Sequence, residues 1–230
     1  MAEAPVISVV TPIHRLSPRF EEVRSSVHAA ASPHEHIIVL NDESLSGSVR
    51  AGHPSDRILV CPRKGRGFAL ARGIADARGG AVLLLHADTL LPSGWDTAIL
   101  RSLSDPRVVG GGFRMRFDRP TAFLRFISRF SEFLDSAGGA MWGDRAVFAR
   151  AEDLRECLPA LDVPLFEDVR LSKALRRRGR LALLDATVVT SAEHFHRNGP
   201  FRQTLRILKA RAWYAAGGDP QRIYDYYYSR

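Results

Sequence analysis

Two short stretches of this 230-residue chain carry side chains whose types and spacing suit chemistry. The first is His86-Ala87-Asp88, directly after the uncharged run 81–85. Side chains at i and i+2 of a strand point the same way, so His86 and Asp88 are expected to project together from the strand end. Imidazole with carboxylate suits Mn2+ or another borderline divalent ion, and carboxylate with phosphate oxygens suits Mg2+. Taken alone, Asp88 is explained equally well as a cap on the following turn. The second stretch is Phe166-Glu167-Asp168-Val169, ahead of an Arg-rich helix. Adjacent acids at a helix start complement the helix dipole, the stronger reading of this pair in isolation. Such acids can also act as a general base on a hydroxyl nucleophile.

Three further groups stand at element ends. Asp42 closes a strand, where a carboxylate can accept the imide N–H of uracil or hold a ribose hydroxyl; the structural alternative is a turn residue. Arg63, Lys64 and Arg66 occupy a glycine-containing loop before a helix, a setting that favours phosphate. That loop lacks the last glycine of a dinucleotide fingerprint and does not follow the first strand, and the chain has no GxxxxGK[ST] loop. His194, His196 and Arg197 follow the last long strand. If the strand continues, the two histidines share a face, one of them completes a metal site, and Arg197 neutralises a departing diphosphate. A lone histidine is more often an ordinary surface or packed residue.

Periodicity indicates the elements that hold these residues. The β-branched run 6–13 reads as a buried strand, and Ser17 caps a helix over 19–31. Strands follow at 36–40 and 57–61, then, after the loop 63–67, a small-residue helix to about 77 and a central parallel strand at 81–85. A helix over 94–103 and a strand over 108–117 complete the first half. The second half reads as an amphipathic helix over 121–135 stopped by Gly138-Gly139, a strand over 144–150, helices over 151–157 and 165–177, and a strand over 181–190. Two helical segments, 201–214 and 221–228, end the chain. Phe123, Phe126, Phe130 and Phe133 recur at helical spacing and read by default as core. This alternation predicts an α/β fold: an open, mostly parallel, Rossmann-like central sheet with helices on both faces. Ligands of such sheets bind beyond the carboxyl ends of the strands, where Asp42, Asp88, His194 and His196 fall.

The length and the 45% hydrophobic content fit one domain over 1–230, able to fold without disulfides or structural metal. Cys61 and Cys157 have no C-x-x-C spacing and read as thiols in a reducing cytosol. No signal peptide and no membrane-spanning run is expected, which points to a cytoplasmic protein. The net charge of +8, from 33 Lys+Arg against 25 Asp+Glu, implies an anionic partner or a solubilising surface.

Together these residues resemble family 2 glycosyltransferases of the GT-A fold. Residues 6–13 look like that family's first strand, Leu40-Asn41-Asp42-Glu43-Ser44 like its nucleoside-binding strand end, and His86-Ala87-Asp88 stands where its D-x-D metal motif stands. Phe166-Glu167-Asp168-Val169-Arg170-Leu171 is similar to its E-D motif. A subgroup with L-H-A-D-T, a G-D-x-A-x-F segment (here 143–148) and E-D-V-x-L-S is the nearest, and some of its members carry an arsenosugar-biosynthesis label. The resemblance covers 6–215. It implies a nucleotide-sugar donor (UDP- or GDP-linked) held by a half over 1–118, and an acceptor held by a half over 119–230. Thr11, Pro12, Asp42, Lys64, Arg66 and Ala87 would meet the nucleotide, and Asp88 with His86 would hold a Mn2+ or Mg2+ ion. His194, His196 and Arg197 would lie on the diphosphate side. Asp168 would be the base, Glu167 would orient the acceptor or share that role, and transfer would invert the anomeric centre. Asn41 and His86 depart from the family's acids, and His14-Arg15 replaces a more usual stretch.

Two other classes compete. A nucleotidyltransferase needs a Gly-rich basic loop after the first strand, where this chain has Thr11-Pro12-Ile13-His14-Arg15. A non-catalytic binder of nucleic acid or acidic surfaces would explain the charge and Arg176-Arg177-Arg178-Gly179-Arg180, yet no DNA-reading motif appears. The Phe-rich segment and basic C-terminal helices are candidates for an acceptor cleft, a homodimer contact or a peripheral membrane surface, the last compatible with a lipid-linked acceptor.

Overall fold

Uncharged, largely β-branched segments form the middle of the sheet because no polar side chain interrupts them and both faces can be covered. The computed structural model describes residues 4–136, 141 and 143–228. Its strands are β1 (Ile7–Ile13), β2 (His34–Leu40), β3 (Asp56–Val60), β4 (Ala81–Leu84), β5 (Thr89–Leu90), β6 (Val108–Phe117), β7 (Val147–Arg150) and β8 (Arg180–Thr190). The helices are α1 (Phe20–His28), α2 (Arg66–Asp76), α3 (Trp95–Leu103), α4 (Ala122–Ser136), α5 (Ala151–Glu156), α6 (Glu167–Arg176), α7 (Glu193–Asn198), α8 (Pro200–Ala215) and α9 (Pro220–Tyr228). The strands make one sheet in the order β3-β2-β1-β4-β7-β6-β8-β5. The parallel pairs β3/β2, β2/β1, β1/β4 and β6/β8, with β7 antiparallel to both β4 and β6, leave only β7 and β5 running against the rest.

Alternation along β1 divides the core. Ile7 and Val9 join a cluster with Val23 and Val27 of α1, Trp95 and Ile99 of α3, and Leu124 of α4. Val10 joins the opposite cluster, with Ile74 of α2, Leu154 of α5 and Leu171 of α6. Helices therefore cover both faces, as the α/β pattern predicts. Chain order turns back at β1, which has β2 on one side and β4 on the other, so a crevice opens beyond the carboxyl ends of β1 and β4.

Several expectations are corrected. β8 stops at Thr190 because its partner β6 ends at Phe117, the last register pair. Asp118 then accepts the Ala192 amide at 2.9 Å and the chain turns into α7. His194 and His196 thus sit on a helix, and the shared strand face expected for them does not exist. The strand expected from 144 starts only at Val147, since Gly143–Arg145 forms a 3-10 turn. α6 starts at Glu167 because Phe166 holds a left-handed φ of 63°. β5, two residues long, has too short a pattern to be read from sequence. In the Phe-rich α4, Phe126 and Phe130 are 63% and 49% exposed, so the stripe is not core throughout. Gly138-Gly139 lies outside the described residues.

Helix α2 lies flat against the loop before α6. A Cβ on Gly67 would overlap the carbonyl oxygens of Val163 and Leu161 and crowd Glu167. Gly67→Ala is therefore expected to cost about 1–3 kcal/mol, the usual penalty of overpacking, read as a lower denaturant midpoint with an unchanged slope.

Candidate active site

The carboxyl ends of β1 and β4 open into a cleft of about 1190 Å³, roofed by α7, α8 and α9. Pro12 near the end of β1 and His14 after it enter the cleft, His86, Ala87 and Asp88 follow β4, and Asn41 enters from the end of β2. His194, Arg197, Arg202, Arg206, Tyr224 and Tyr227 line it from the C-terminal helices.

His86 and Asp88 both reach this cleft but do different things. β4 ends at Leu84, so the alternation of a strand does not govern them; the Thr89 amide closes a turn on the His86 carbonyl at 3.2 Å. Asp88 is pushed up to about 6, by burial first and then by the Asp144 carboxylate. A neighbouring like charge disfavours the ionised form of Asp88. A divalent cation held by Asp88 would relieve that repulsion and take the oxygen ligand it prefers. Asp88, which lines the cleft, therefore fits a Mg2+ or Mn2+ ion.

His86 has no lone pair to spare for such an ion. Arg66 donates from Nη1 to His86 Nε2 at 2.8 Å, and a guanidinium can only donate. Nε2 is therefore the acceptor nitrogen, and Nδ1 carries the proton. Burial and the Arg66 charge hold the ring down to about 3, so it is neutral. The metal role expected for His86 is replaced by that of an acceptor for Arg66.

Arg66 ties three elements together. Besides His86, it pairs through Nε with Glu167 and approaches Asp168 at 3.5 Å through Nη2. Glu167 is 1% exposed and spends one carboxylate oxygen on Arg66, while burial raises its pKa. It does not reach into the cleft, so the expected acceptor contact is corrected to a hold on Arg66. Asp168 accepts from the Gly143 amide at 3.1 Å and from the Val169 amide at 2.8 Å, and lines a small cavity with His86, Gly143 and Glu167 beside the main cleft. A side chain at 143 would strike the His86 ring, so Gly143 lets the turn bearing Asp144 close on the β4 end.

The nucleoside residues divide similarly. Pro12 and Ala87 line the cleft. Thr11 is fully buried, and its hydroxyl meets His36 Nε2 at 2.9 Å on the far side of the strand, so it faces no ligand there. Asp42 caps the turn Glu43–Leu45 through the Ser44 amide at 2.9 Å. Lys64 is exposed, and neither it nor Asp42 lines the cleft. Asn41 explains its departure from an acid. Its amide donates to the Arg63 carbonyl at 2.5 Å and accepts from the Gly65 amide at 2.8 Å, and an ionised carboxylate could not donate. His196 Nε2 contacts the Arg119 carbonyl at 3.1 Å, outside the cleft, whereas His194 lines it.

Asp144, Arg202, Arg206, Tyr224 and Tyr227 are functional candidates that the reading of single motifs missed. Arg202 and Arg206 were legible, since four-residue spacing puts them on one face of a helix. Asp144 stood out only inside the G-D-x-A-x-F pattern. Tyr227, whose pKa is raised by burial and by Asp144, accepts from Gln203 Nε2 at 3.1 Å and brings α9 over the acidic corner. The backbone is strained on both sides of the site, at Ala146 (φ 48°) and Phe166 (φ 63°).

Residues 8–150 match the model of glycosyl transferase family 2, and the chain belongs to that family. Its sheet and helices have the GT-A arrangement. A mannosyltransferase, PcManGT from Pyrobaculum calidifontis, solved with GDP-Man and Mn2+, is similar with a TM-score of 0.66 at 21% identity over 90% of this chain and 61% of that one. S. aureus TarS 1-349, solved with UDP-GlcNAc, gives a TM-score of 0.60 at 14% identity over 80% of this chain and 58% of that one. No curated protein matches the chain. The chain spans 58% and 61% of the length of these two solved chains.

The raised Asp88 has a consequence with a defined sign. The folded protein keeps the Asp88 proton up to about pH 6, whereas a free aspartate loses it near 3.8. Metal-free protein is therefore favoured by this group at low pH and loses that contribution as pH rises through about 6. Asp88→Asn should melt above wild type at pH 8 without metal, by about 1–2 kcal/mol, with the gap closing near pH 4. Calorimetric melting in a chelator across this range checks it.

Proposed function

We propose that the chain transfers a sugar from a UDP- or GDP-linked donor to an acceptor hydroxyl with inversion at the anomeric carbon. The observation that carries the reading is Asp88, its carboxyl pushed up by burial and by the charge of Asp144, lining a large cleft that Arg197, Arg202 and Arg206 also line. The donor half, 1–118, presents Pro12, Ala87 and Asp88. The acceptor half, 119–230, presents the α7–α9 face. A divalent ion on Asp88 would supply Lewis-acid charge to the donor diphosphate.

The remaining work falls to the chain itself. Asp168 takes the proton of the acceptor hydroxyl, whose oxygen then forms the bond to the anomeric carbon. The bond from that carbon to the diphosphate oxygen breaks on the opposite face, and its electron pair leaves with the diphosphate. Arg197, with Arg202 and Arg206, receives the negative charge. Arg66 fixes Asp168 against Glu167 and His86, so the base is positioned before substrate arrives.

For the acceptor, the supporting observation is an exposed apolar surface on α4 and α8. Phe126, Phe130, Phe201, Leu205 and Leu208 are exposed on α4 and α8, which meet through the Phe123 and Phe201 rings at 4.5 Å. Arg202 and Arg206 rise between them on α8. A basic helix with exposed apolar residues suits an anionic membrane surface and a lipid-linked phosphate acceptor. Among the described residues no helix is long and apolar enough to cross a membrane, so contact would be peripheral.

Titration of UDP and GDP with and without Mn2+ tests the donor reading. Wild type should bind one of them at least about tenfold more tightly with Mn2+. Asp88→Ala should lose that gain while keeping wild-type circular dichroism. Binding that is absent, or indifferent to metal, in folded wild type would exclude the proposed site. For the membrane reading, wild type should co-sediment with vesicles rich in phosphatidylglycerol, and Phe201→Ser with Leu205→Ser should cut the bound fraction several-fold.

A further inference from the structure

Far from the cleft, at the amino ends of β2 and β3, four histidines gather around one carboxylate. His36 lies four residues before Leu40, about 13 Å of strand away from the cleft end. Asp56 is buried at the start of β3, and burial also covers His36 completely. His28 at the end of α1 places Nε2 2.8 Å from Asp56 Oδ1, and His36 Nδ1 lies 3.5 Å from the same oxygen. His34 and His53 flank His28, the latter stacked on it with ring centres 3.9 Å apart.

The proton count of this chain of contacts does not close. His34 Nδ1 meets the Ser32 carbonyl at 3.0 Å, His34 Nε2 meets His28 Nδ1 at 3.0 Å, and His28 Nε2 meets Asp56 Oδ1 at 2.8 Å. A carbonyl and a carboxylate stand at the two ends, and both can only accept. Three contacts need three protons, and two neutral imidazoles bring two. If His34 donates to the carbonyl and His28 donates to His34, the His28 Nε2 lone pair is left facing a carboxylate oxygen. The shortfall requires either an extra proton or a metal cation.

His36 decides between them. Its Nε2 meets the Thr11 hydroxyl, and its Nδ1 is buried with no hydrogen-bond partner, aimed at the same Asp56 oxygen. One ligand atom from each of His28, His36 and Asp56 lies within 4.8 Å of the other two. The other Asp56 oxygen is already committed, to the Gly52 amide at 2.8 Å and the His53 amide at 3.0 Å, with Arg24 Nη1 3.8 Å away. Oδ1 is therefore left to the imidazoles. Burial holds His28 down to about 4 and His36 below the usual range, which disfavours the extra proton and keeps both rings in the form that ligates metal.

We propose that His28 Nε2, His36 Nδ1 and Asp56 Oδ1 form a second divalent-metal site, of the Zn2+ class, separate from the cleft. Two nitrogens and one carboxylate oxygen are a frequent zinc donor set, with water in the fourth position. Bonds of about 2.0–2.1 Å in tetrahedral geometry put ligand atoms about 3.3 Å apart, so the 2.8 Å contact opens by about half an ångström. His34 is the outer partner that orients His28, as metal-bound imidazoles generally require. The ion staples the end of α1 to β2 and β3, a structural role apart from the reaction.

Chelator-stripped full-length Asp88→Ala, titrated with Co2+ and followed by its visible absorption, isolates this site from the cleft. One Co2+ per chain with the intense bands of a tetrahedral centre, displaced by Zn2+, is the expected result. His28→Gln should weaken it by about tenfold or more and remove the rise in melting temperature that Zn2+ gives Asp88→Ala. No tetrahedral Co2+ spectrum in folded Asp88→Ala would overturn the proposal without help from the second variant. So would unchanged binding in His28→Gln, or a His28 imidazolium seen by NMR at pH 7.5 in stripped protein that takes up no Co2+.

Discussion

One guanidinium holds the site together. Arg66 stands at the first turn of α2 and reaches a carboxylate and an imidazole that come from elements on either side of it, Glu167 at the start of α6 and His86 in the turn after β4. Its third neighbour, Asp168, is the candidate base. A buried charge is tolerable only when paired and hydrogen-bonded, and Glu167, almost wholly buried, has Arg66 as its counter-charge. The same constraint fixes the histidine tautomer, because an arginine cannot accept. Once Arg66 is in place, His86 is neutral, Glu167 is held against the guanidinium, and Asp168 is set against the Gly143 turn that carries Asp144.

The parts of this arrangement that were legible in sequence are those that depend on local pattern. Uninterrupted apolar runs gave β1, β2 and β4, helical spacing of apolar residues gave α1, and a small-residue run gave α2, each within a few residues. Asp88 and Asp168 stood out because each follows an element boundary closely. What was not legible depended on pairing across the fold. Nothing local says that β6 ends opposite Thr190, so the histidines after it were read onto a strand that does not continue. Nothing local says that Thr11 meets His36 through the sheet, or that Arg66 is claimed by Glu167 a hundred residues later. Asp42 and Glu167 fell back to the structural roles that compete with every functional carboxylate, cap and ion-pair partner.

The two charged centres obey opposite rules. At the cleft, buried Asp88 feels the charge of Asp144, a surplus of negative charge that is costly until a cation or proton answers it. At the amino ends of β2 and β3, imidazoles deficient by one proton surround a single carboxylate. Both follow from burial: one concentrates like charges, the other suppresses the proton that would complete a hydrogen-bond chain.

The stacking of Phe166 on Tyr214, with ring centres 4.6 Å apart, reaches further than packing. Phe166 is the left-handed residue that launches Glu167 and Asp168, and the small core around it is built with Ala210 and Ile223 of the last two helices. Those helices also carry the arginines and tyrosines of the cleft roof. The match to the family model ends before them, at residue 150. The segment that roofs the cleft thus simultaneously braces the two adjacent acids. Roof and floor are mechanically one unit: a foreign tail grafted onto the core would exchange the one and, in the same stroke, unsettle the other.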